Sequence, residues 1–250
     1  MKGNKAKIVS TVQQKGGVGK TSTIQNLGAE LFKEGKRVLY IDLDEQCNLS
    51  FTLKGSGEYL SIYDVLRGED INKAIQEIEQ GDLIRGDVRL KTLQNISGNT
   101  LKDALSKIRK DYDYILLDTA PGVSDLTVNA LICTDEVIIP CNAEVFSYQG
   151  LITEGDLIKE IRSNYNKNIH VNGVLITKYD RRVIMNRQFR ELIEKQAERM
   201  GTKVYKTVIR QNSAISKAQV FQENIFEYDS KSNGAEDYRE FIKEFKENEQ

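Results

Sequence analysis

Short apolar runs alternate along this chain with segments whose apolar residues recur every three or four positions. The runs are typical of buried strands, and the spaced segments are typical of helices with one apolar face. Strands are predicted at 6–12, 37–42, 112–118, 136–140, 171–177 and 203–208, with a further short one at 93–96. Helices are predicted at 23–33, 99–110, 126–133, 147–163, 185–200 and 236–246, with one or two more within 58–80.

This alternation predicts an α/β fold: a mostly parallel, twisted sheet with helices on both faces. In such sheets ligands bind beyond the carboxyl ends of the strands. The predicted second strand runs into Asp42 and Asp44, and a later strand ends at Asp118. We therefore expect the functional site at this edge of the sheet.

A glycine-rich segment joins the first predicted strand to the first predicted helix. Residues 13–22 read QQKGGVGKTS. Closely spaced glycines let backbone N–H groups surround a phosphate, and the following helix adds positive potential. Lys20 can reach the β- and γ-phosphates, and the Thr21 hydroxyl can bind Mg²⁺. The segment is therefore predicted to be a phosphate-binding loop, although Gln14 stands where the usual pattern has glycine.

A second lysine, Lys15, stands at the start of this loop. Since Lys20 serves the bound nucleotide from within, we expect Lys15 to point outward, toward the nucleotide of another molecule. Residues 15–21 resemble the deviant Walker A motif of the ParA/MinD family of P-loop ATPases, in which this lysine contacts the partner's phosphates. The alternative is a solvated loop lysine. The resemblance implies that the nucleotide phosphates are bound by Lys15, Gly16, Gly17, Val18, Gly19, Lys20, Thr21 and Ser22.

The acidic strand ends complete the predicted site. Residues 114–118 read YILLD, the Walker B form, so Asp118 is expected to hold Mg²⁺ directly or through water. Asp42 and Asp44 lie on one side of an extended chain, and Asp44 is expected to position or polarise the attacking water. A single aspartate at a strand end is often a turn or cap residue. Together the predicted metal ligands are Thr21, Asp42 and Asp118, and the predicted catalytic residues are Lys15, Lys20 and Asp44.

The resemblance extends over nearly the whole chain. Residues 37–44, 113–121, 127–131, 137–140, 173–181 and 228–235 are similar to family motifs. After the second strand the family usually continues PQGN, whereas residues 45–48 here read EQCN, which leaves the hydrolysis rate and the response to a partner open. The family fold implies that the adenine lies near Lys178, Asp180, Ile209, Arg210 and Gln211.

Composition fits one globular unit, and we expect residues 1–250 to form a single ParA-type P-loop ATPase domain. Hydrophobic residues make up 39% of the chain, and the three cysteines lack metal-site spacing, which suits a reducing cytosol. Neither a signal sequence nor a membrane-length apolar run is apparent, so a cytoplasmic protein is expected. The one histidine, His170, is expected at the surface rather than in catalysis.

Charge is distributed unevenly. The net charge is −1, but residues 178–217 contain eleven Lys and Arg against four Asp and Glu, which leaves the remainder at about −8. Such a segment is typical of a surface for phosphate backbones, with a solvated helix face as the alternative. The candidate DNA-binding residues are Arg181, Arg182, Arg187, Arg190, Lys206, Arg210 and Lys217.

Among ParA relatives the chain resembles the small, Soj-like class, because its first strand begins too early for a preceding helix-turn-helix domain. The resemblance implies an ATP- and Mg²⁺-dependent homodimer that binds nonspecific DNA in the nucleoid. A ParB-like centromere-binding protein would stimulate hydrolysis and release.

Three other classes of protein share parts of this pattern. A MinD-like membrane ATPase would end in a basic amphipathic helix, but the predicted last helix has an acidic polar face and is expected to pack on the body. An iron–sulfur relative is rejected because no CxxC occurs. A metabolic P-loop ligase could also use Lys15, but the basic segment gives it no support.

Overall fold

A computed structural model, which describes residues 5–94 and 96–249, has a seven-stranded sheet in this part of the chain. The strand order is β3-β4-β2-β5-β1-β6-β7; β3 and β4 are antiparallel, and every other neighbouring pair is parallel. The expected mostly parallel α/β sheet is confirmed. The strands are β1 (Lys7–Thr11), β2 (Val38–Leu43), β3 (Ile75–Ile78), β4 (Gly81–Ile84), β5 (Tyr114–Thr119), β6 (Glu136–Asn142) and β7 (His170–Thr177).

Helices cover both faces of the sheet because strand residues alternate between the two sides. Val9 and Leu116 pack in one core with α1 and α10, whereas Ile8 and Leu117 pack in another with α3, α4 and α5. A third core joins β6 and β7 to α6 and α7. The helices are α1 (Lys20–Lys33), α2 (Asn48–Thr52), α3 (Ile62–Leu66), α4 (Thr100–Ser106), α5 (Asp125–Cys133), α6 (Val145–Asn164), α7 (Ile184–Arg199), α8 (Ser213–Val220), α9 (Ile225–Tyr228) and α10 (Asn233–Asn248), with 3₁₀ turns at Ile71–Lys73 and Val88–Thr92.

The last helix, α10, lies against the body of the protein, as expected. Its apolar residues Tyr238, Phe241, Ile242 and Phe245 are buried in the core that also contains α1. The Phe241 ring meets the Tyr205 ring edge-on, with centroids 5.0 Å apart. Within the described residues, no helix is both long enough and apolar enough to span a membrane.

The sequence-based prediction for 58–80 was wrong at its end. Ile75 and Ile78 belong to edge strand β3 rather than to a helix, because a two-residue turn pairs Ile78 with Gly81. Gly81 has φ +121°, and a Cβ there would lie 2.5 Å from the Val38 carbonyl oxygen, so the turn requires glycine. The strand predicted at 93–96 is not formed by the described residues of that range, and Asn95 lies outside them.

The strand predicted at 203–208 is also wrong in extent. Only an isolated bridge joins Val204 to Val174, although the Tyr205 and Ile209 amides donate to carbonyls of β7. The segment therefore follows β7 irregularly and leads the chain toward the carboxyl end of the sheet. The short helices α2, α8 and α9 have no recognisable periodicity in the sequence, because each has eight residues or fewer.

Candidate functional site

The glycine-rich loop lies between β1 and α1 and borders a cavity of about 610 Å³. Gly17 and Gly19 have φ values of +71° and +96°, which side chains rarely allow. Because α1 begins at Lys20, its unpaired N-terminal amides lie beside this cavity. The loop residues that line it run from Gly17 to Ser22, and Gly16 is not among them.

Lys20 is buried at the base of the loop. Its Nζ donates to the Gln13 carbonyl oxygen at 3.0 Å. Burial lowers the pKa of Lys20, and the negative charges of Asp118, Asp44 and Glu154 oppose that shift. The ammonium group is therefore balanced by acidic side chains around it, and it lies at the wall of the cavity.

Thr21 and Asp118 form a hydrogen-bonded pair at the start of α1 and the end of β5. Thr21 Oγ1 donates to Asp118 Oδ2 at 2.7 Å, whereas the buried Oδ1 of Asp118 has no hydrogen-bond partner in the described structure. Burial, reinforced by the nearby Asp42 charge, raises the pKa of Asp118 to about 8. An unpaired buried carboxylate oxygen beside a hydroxyl fits a hard divalent cation such as Mg²⁺.

Asp42, which is predicted to be a metal ligand, is bound by protein donors at both carboxyl oxygens. Its Oδ2 accepts hydrogen bonds from the Ser50 amide (2.8 Å) and hydroxyl (2.7 Å), and its Oδ1 accepts from the Asp44 amide at 3.1 Å. Burial raises its pKa to about 6. Because both oxygens already bind protein donors, Asp42 fixes the loop after β2 against α2 and does not line the cavity.

Asp44 does line the cavity, as the predicted water-positioning role requires. Its Oδ1 accepts from the Gln46 amide at 2.9 Å, and burial raises its pKa. The loop continues through Cys47, which precedes α2 with φ +53°. The backbone thus adopts a left-handed conformation at Cys47, where the similar family motif has glycine.

Lys15 does not line the cavity. Its ammonium group forms an ion pair with Glu144, the residue that precedes α6, and its side chain is 31% exposed. Of the two loop lysines, Lys20 therefore lies at the cavity wall and Lys15 lies outside it.

Most of the residues predicted to lie near the adenine line the cavity. Lys178, Ile209, Arg210 and Gln211 line it, but Asp180 does not. Asp180 instead accepts from Arg182 at 2.8 and 3.0 Å, and its position near the base stays a prediction. Lining residues missed from the sequence come from α2 and α8 and the residues beside them: Gln46, Asn48, Phe51, Thr52, Asn212, Ile215, Ser216, Gln219 and Val220.

Three of the candidate DNA-binding residues are neutralised by nearby acids. Arg210 binds the carboxylates of Asp237 and Glu236 on α10, each at 2.6 Å. This pairing ties Arg210 to the protein and argues against its predicted DNA contact. Arg182 is likewise paired with Asp180, and Arg190 with Glu194 at 2.9 Å.

The other four candidates have free charges. Arg181, Arg187, Lys206 and Lys217 are exposed and form no ion pair with any residue that the structure describes. We call these four residues the free basic set. They are the part of the predicted basic surface whose charges remain available to a phosphate backbone.

Comparison with known proteins adds family relationships. The AAA domain family matches residues 6–171. The chain is 37% identical over 251 residues to the sporulation initiation inhibitor protein Soj of Bacillus subtilis, covering 95% of this chain and 97% of Soj. It is 34% identical over 257 residues to the chromosome partitioning protein ParA of Caulobacter vibrioides, covering 98% and 95% of the two chains.

A solved structure has a similar fold. Cobyrinic acid a,c-diamide synthase of Mycobacterium smegmatis, solved with a bound ATP analogue and magnesium, has a TM-score of 0.79 and 27% identity. The match covers 95% of this chain and 93% of the synthase. The similarity thus extends beyond the 6–171 region to the segment that closes the cavity.

Proposed function

The chain belongs to the ParA/MinD family of P-loop ATPases, and from that premise we propose that it is an ATP-dependent DNA-partition ATPase. The observation that carries the proposal is that Lys20, Thr21 and Asp44 line one cavity, while the buried Asp118 accepts a hydrogen bond from Thr21 behind its wall. We further propose that residues 1–250 act as one domain, in which the nucleotide site controls a DNA-binding surface.

ATP is the proposed ligand of the cavity. Its phosphates would lie on the amides of Gly17 to Thr21, with Lys20 turning from the Gln13 carbonyl toward them. Thr21 and Asp118 would hold Mg²⁺, which neutralises charge that develops on the phosphates. Asp44 would orient the water that attacks the γ-phosphate. It lies at the cavity, and because its Oδ1 accepts from the Gln46 amide, its other oxygen is left to accept from that water.

Dimerisation is the proposed output of ATP binding. Lys15 lies outside its own cavity and is partly exposed, so its ammonium group can leave Glu144 and reach the phosphates of a second copy. Two copies would complete each other's sites in this way, so the dimer would form only when both copies carry ATP. A charge supplied in trans to a transferring phosphoryl group is an established means of accelerating its release.

The DNA contact is proposed for the free basic set. A dimer carries this set twice, so phosphate contacts that are weak singly add in one complex. Binding would be independent of base sequence and would weaken with salt. A ParB-like centromere-binding protein is proposed to stimulate hydrolysis and so release the dimer from DNA. The protein is proposed to be cytoplasmic and to associate with the nucleoid.

The membrane alternative is disfavoured by one observation. A MinD-like anchor would insert the apolar face of its last helix into lipid. In α10 this face is buried in the protein core, with Phe241 and Phe245 fully covered. The outer face of α10 carries four glutamates against three basic residues, so it lacks the basic character that anionic lipid attracts.

Retention on DNA tests the proposal. Nonspecific DNA is immobilised, and the protein is added with ATP and Mg²⁺, then washed in ATP-free buffer while phosphate release is measured in parallel. Asp44→Ala is expected to stay bound through the wash with hydrolysis reduced by at least tenfold, whereas the wild type dissociates. Asp111→Ala removes an exposed aspartate far from the cavity and is the matched control. If Asp44→Ala hydrolyses ATP at the wild-type rate, Asp44 does not position the water. If the wild type shows no ATP-dependent retention on DNA, the proposed function is contradicted.

A further inference from the structure

Glu154 is a buried acid on α6 that does not line the cavity. Its side chain is fully buried, and neither carboxyl oxygen has a hydrogen-bond partner in the part of the chain that the structure describes. An unpaired carboxylate in the interior costs several kcal/mol relative to water. Its environment should therefore reveal how the charge is balanced.

The face of α6 that carries Glu154 packs beneath the phosphate-binding loop. Ser147, Gly150 and Glu154 follow at helical spacing, and the Ser147 carbonyl accepts from Gln13 Nε2 at 3.3 Å. Gly150 leaves room for the Gln13 side chain, since a Cβ there would overlap Gln13 Oε1. The Gln13 carbonyl in turn accepts from Lys20 Nζ at 3.0 Å. Gln13 is thus the link between α6 and the phosphate-binding lysine.

We infer that Glu154 is a positioning residue that makes nucleotide binding proton-linked: it balances the Lys20 ammonium in the nucleotide-free chain and takes up a proton when phosphates draw Lys20 away. The inference rests on the proposed nucleotide site and names a regulator of that site. The ligand class is a nucleoside di- or triphosphate with its divalent cation.

The electrostatics agree in direction. Burial raises the pKa of Glu154 to about 7, and Lys20 is the charged group in the described structure that opposes the shift. The charges of Asp44 and Asp118 raise the pKa of Lys20, whereas Lys20 is the charge that lowers the pKa of Glu154. Bound phosphates would compete for Lys20 and add negative charge, so the pKa of Glu154 rises further on binding. The contribution of Glu154 therefore favours binding most below pH 7 and is lost as the pH rises above it.

Calorimetry with MgADP, which is not hydrolysed, measures this linkage. Titrations at pH 7.0 and 8.5, each in two buffers of different ionisation enthalpy, give the dissociation constant and the number of protons taken up. Proton release from Asp118 on Mg²⁺ binding is common to the wild type and its Glu154 variants, so the comparison between them isolates Glu154. The wild type should take up more protons than Glu154→Gln, and its affinity relative to that variant should fall roughly five- to tenfold between pH 7.0 and 8.5. Glu154→Gln should lack this additional uptake and bind about tenfold more tightly than the wild type at pH 8.5. Glu160→Gln, which neutralises an exposed acid on the same helix, is the matched control and should behave as wild type.

A second variant separates linkage from folding. Glu154→Leu removes the charge without leaving a buried polar group, so it should be folded, at least as stable as the wild type and free of the pH dependence. Unchanged pH dependence, or weaker binding in both Glu154 variants with normal thermal unfolding, overturns the inference while leaving the nucleotide site intact. No MgADP binding by the wild type at either pH contradicts the proposed function itself.

Discussion

The docking of α10 gives a prediction whose size follows from the structure. Phe241 is fully buried, its ring 5.0 Å from that of Tyr205 and 6.4 Å from those of Tyr238 and Phe245. Phe241→Ala removes a ring from a cluster of aromatic side chains that cannot all move to fill the space. Such a truncation costs about 3–5 kcal/mol, which includes the lost edge-to-face contacts.

Urea unfolding followed by circular dichroism measures this loss. The free energy of unfolding should fall by about 3–5 kcal/mol with little change in the denaturant slope. The control is Phe146→Ala, which truncates a ring that is 67% exposed and should change the free energy by no more than about 0.5 kcal/mol. If Phe241→Ala unfolds at the wild-type urea concentration, α10 is not docked as described, and its apolar face is available to lipid after all.

Three further predictions concern the site and the surface. Thr21→Ala should weaken nucleotide binding in Mg²⁺ but not in EDTA, measured with a fluorescent ADP analogue; an equal loss in both removes Thr21 from the metal site. Arg187→Glu should weaken DNA retention and reduce its salt dependence, whereas the same charge reversal at the exposed Arg67 should not, and equal effects would assign both to net charge alone. Wild-type protein should not pellet with anionic liposomes, with or without ATP, and ATP-dependent pelleting would support the membrane alternative.

Much of the site could be predicted because its chemistry lies in short sequence segments with strong constraints. The loop at 15–21 requires glycines at positive φ, and Gly17 and Gly19 supply them. Asp118 closes an apolar strand, so its position at the sheet edge beside Thr21 follows from the parallel register of β1 and β5.

What could not be predicted depends on partners distant in sequence. Asp42 and Asp44 both end β2, but only contact with Ser50 in the short helix α2 turns Asp42 away from the cavity. In the sequence Arg210 has a free charge that could contact DNA. In the fold it is paired with Asp237 of α10, which lies 27 residues further along the chain. The spacing of Ile75 and Ile78 fits a helix. They form a strand instead, because the turn before Gly81 pairs them with β4. These outcomes are set by tertiary contacts that local periodicity does not encode.

Molecular mass in solution tests the central claim, that ATP joins two copies through Lys15. Light scattering on the eluting protein, with a slowly hydrolysed ATP analogue and Mg²⁺, should give twice the 28.4 kDa of one chain for the wild type and for Lys33→Gln, an exposed-lysine control. Lys15→Gln should bind the analogue and remain at 28.4 kDa. A wild type that stays monomeric with analogue bound, or a Lys15→Gln variant that dimerises like the wild type, contradicts the account.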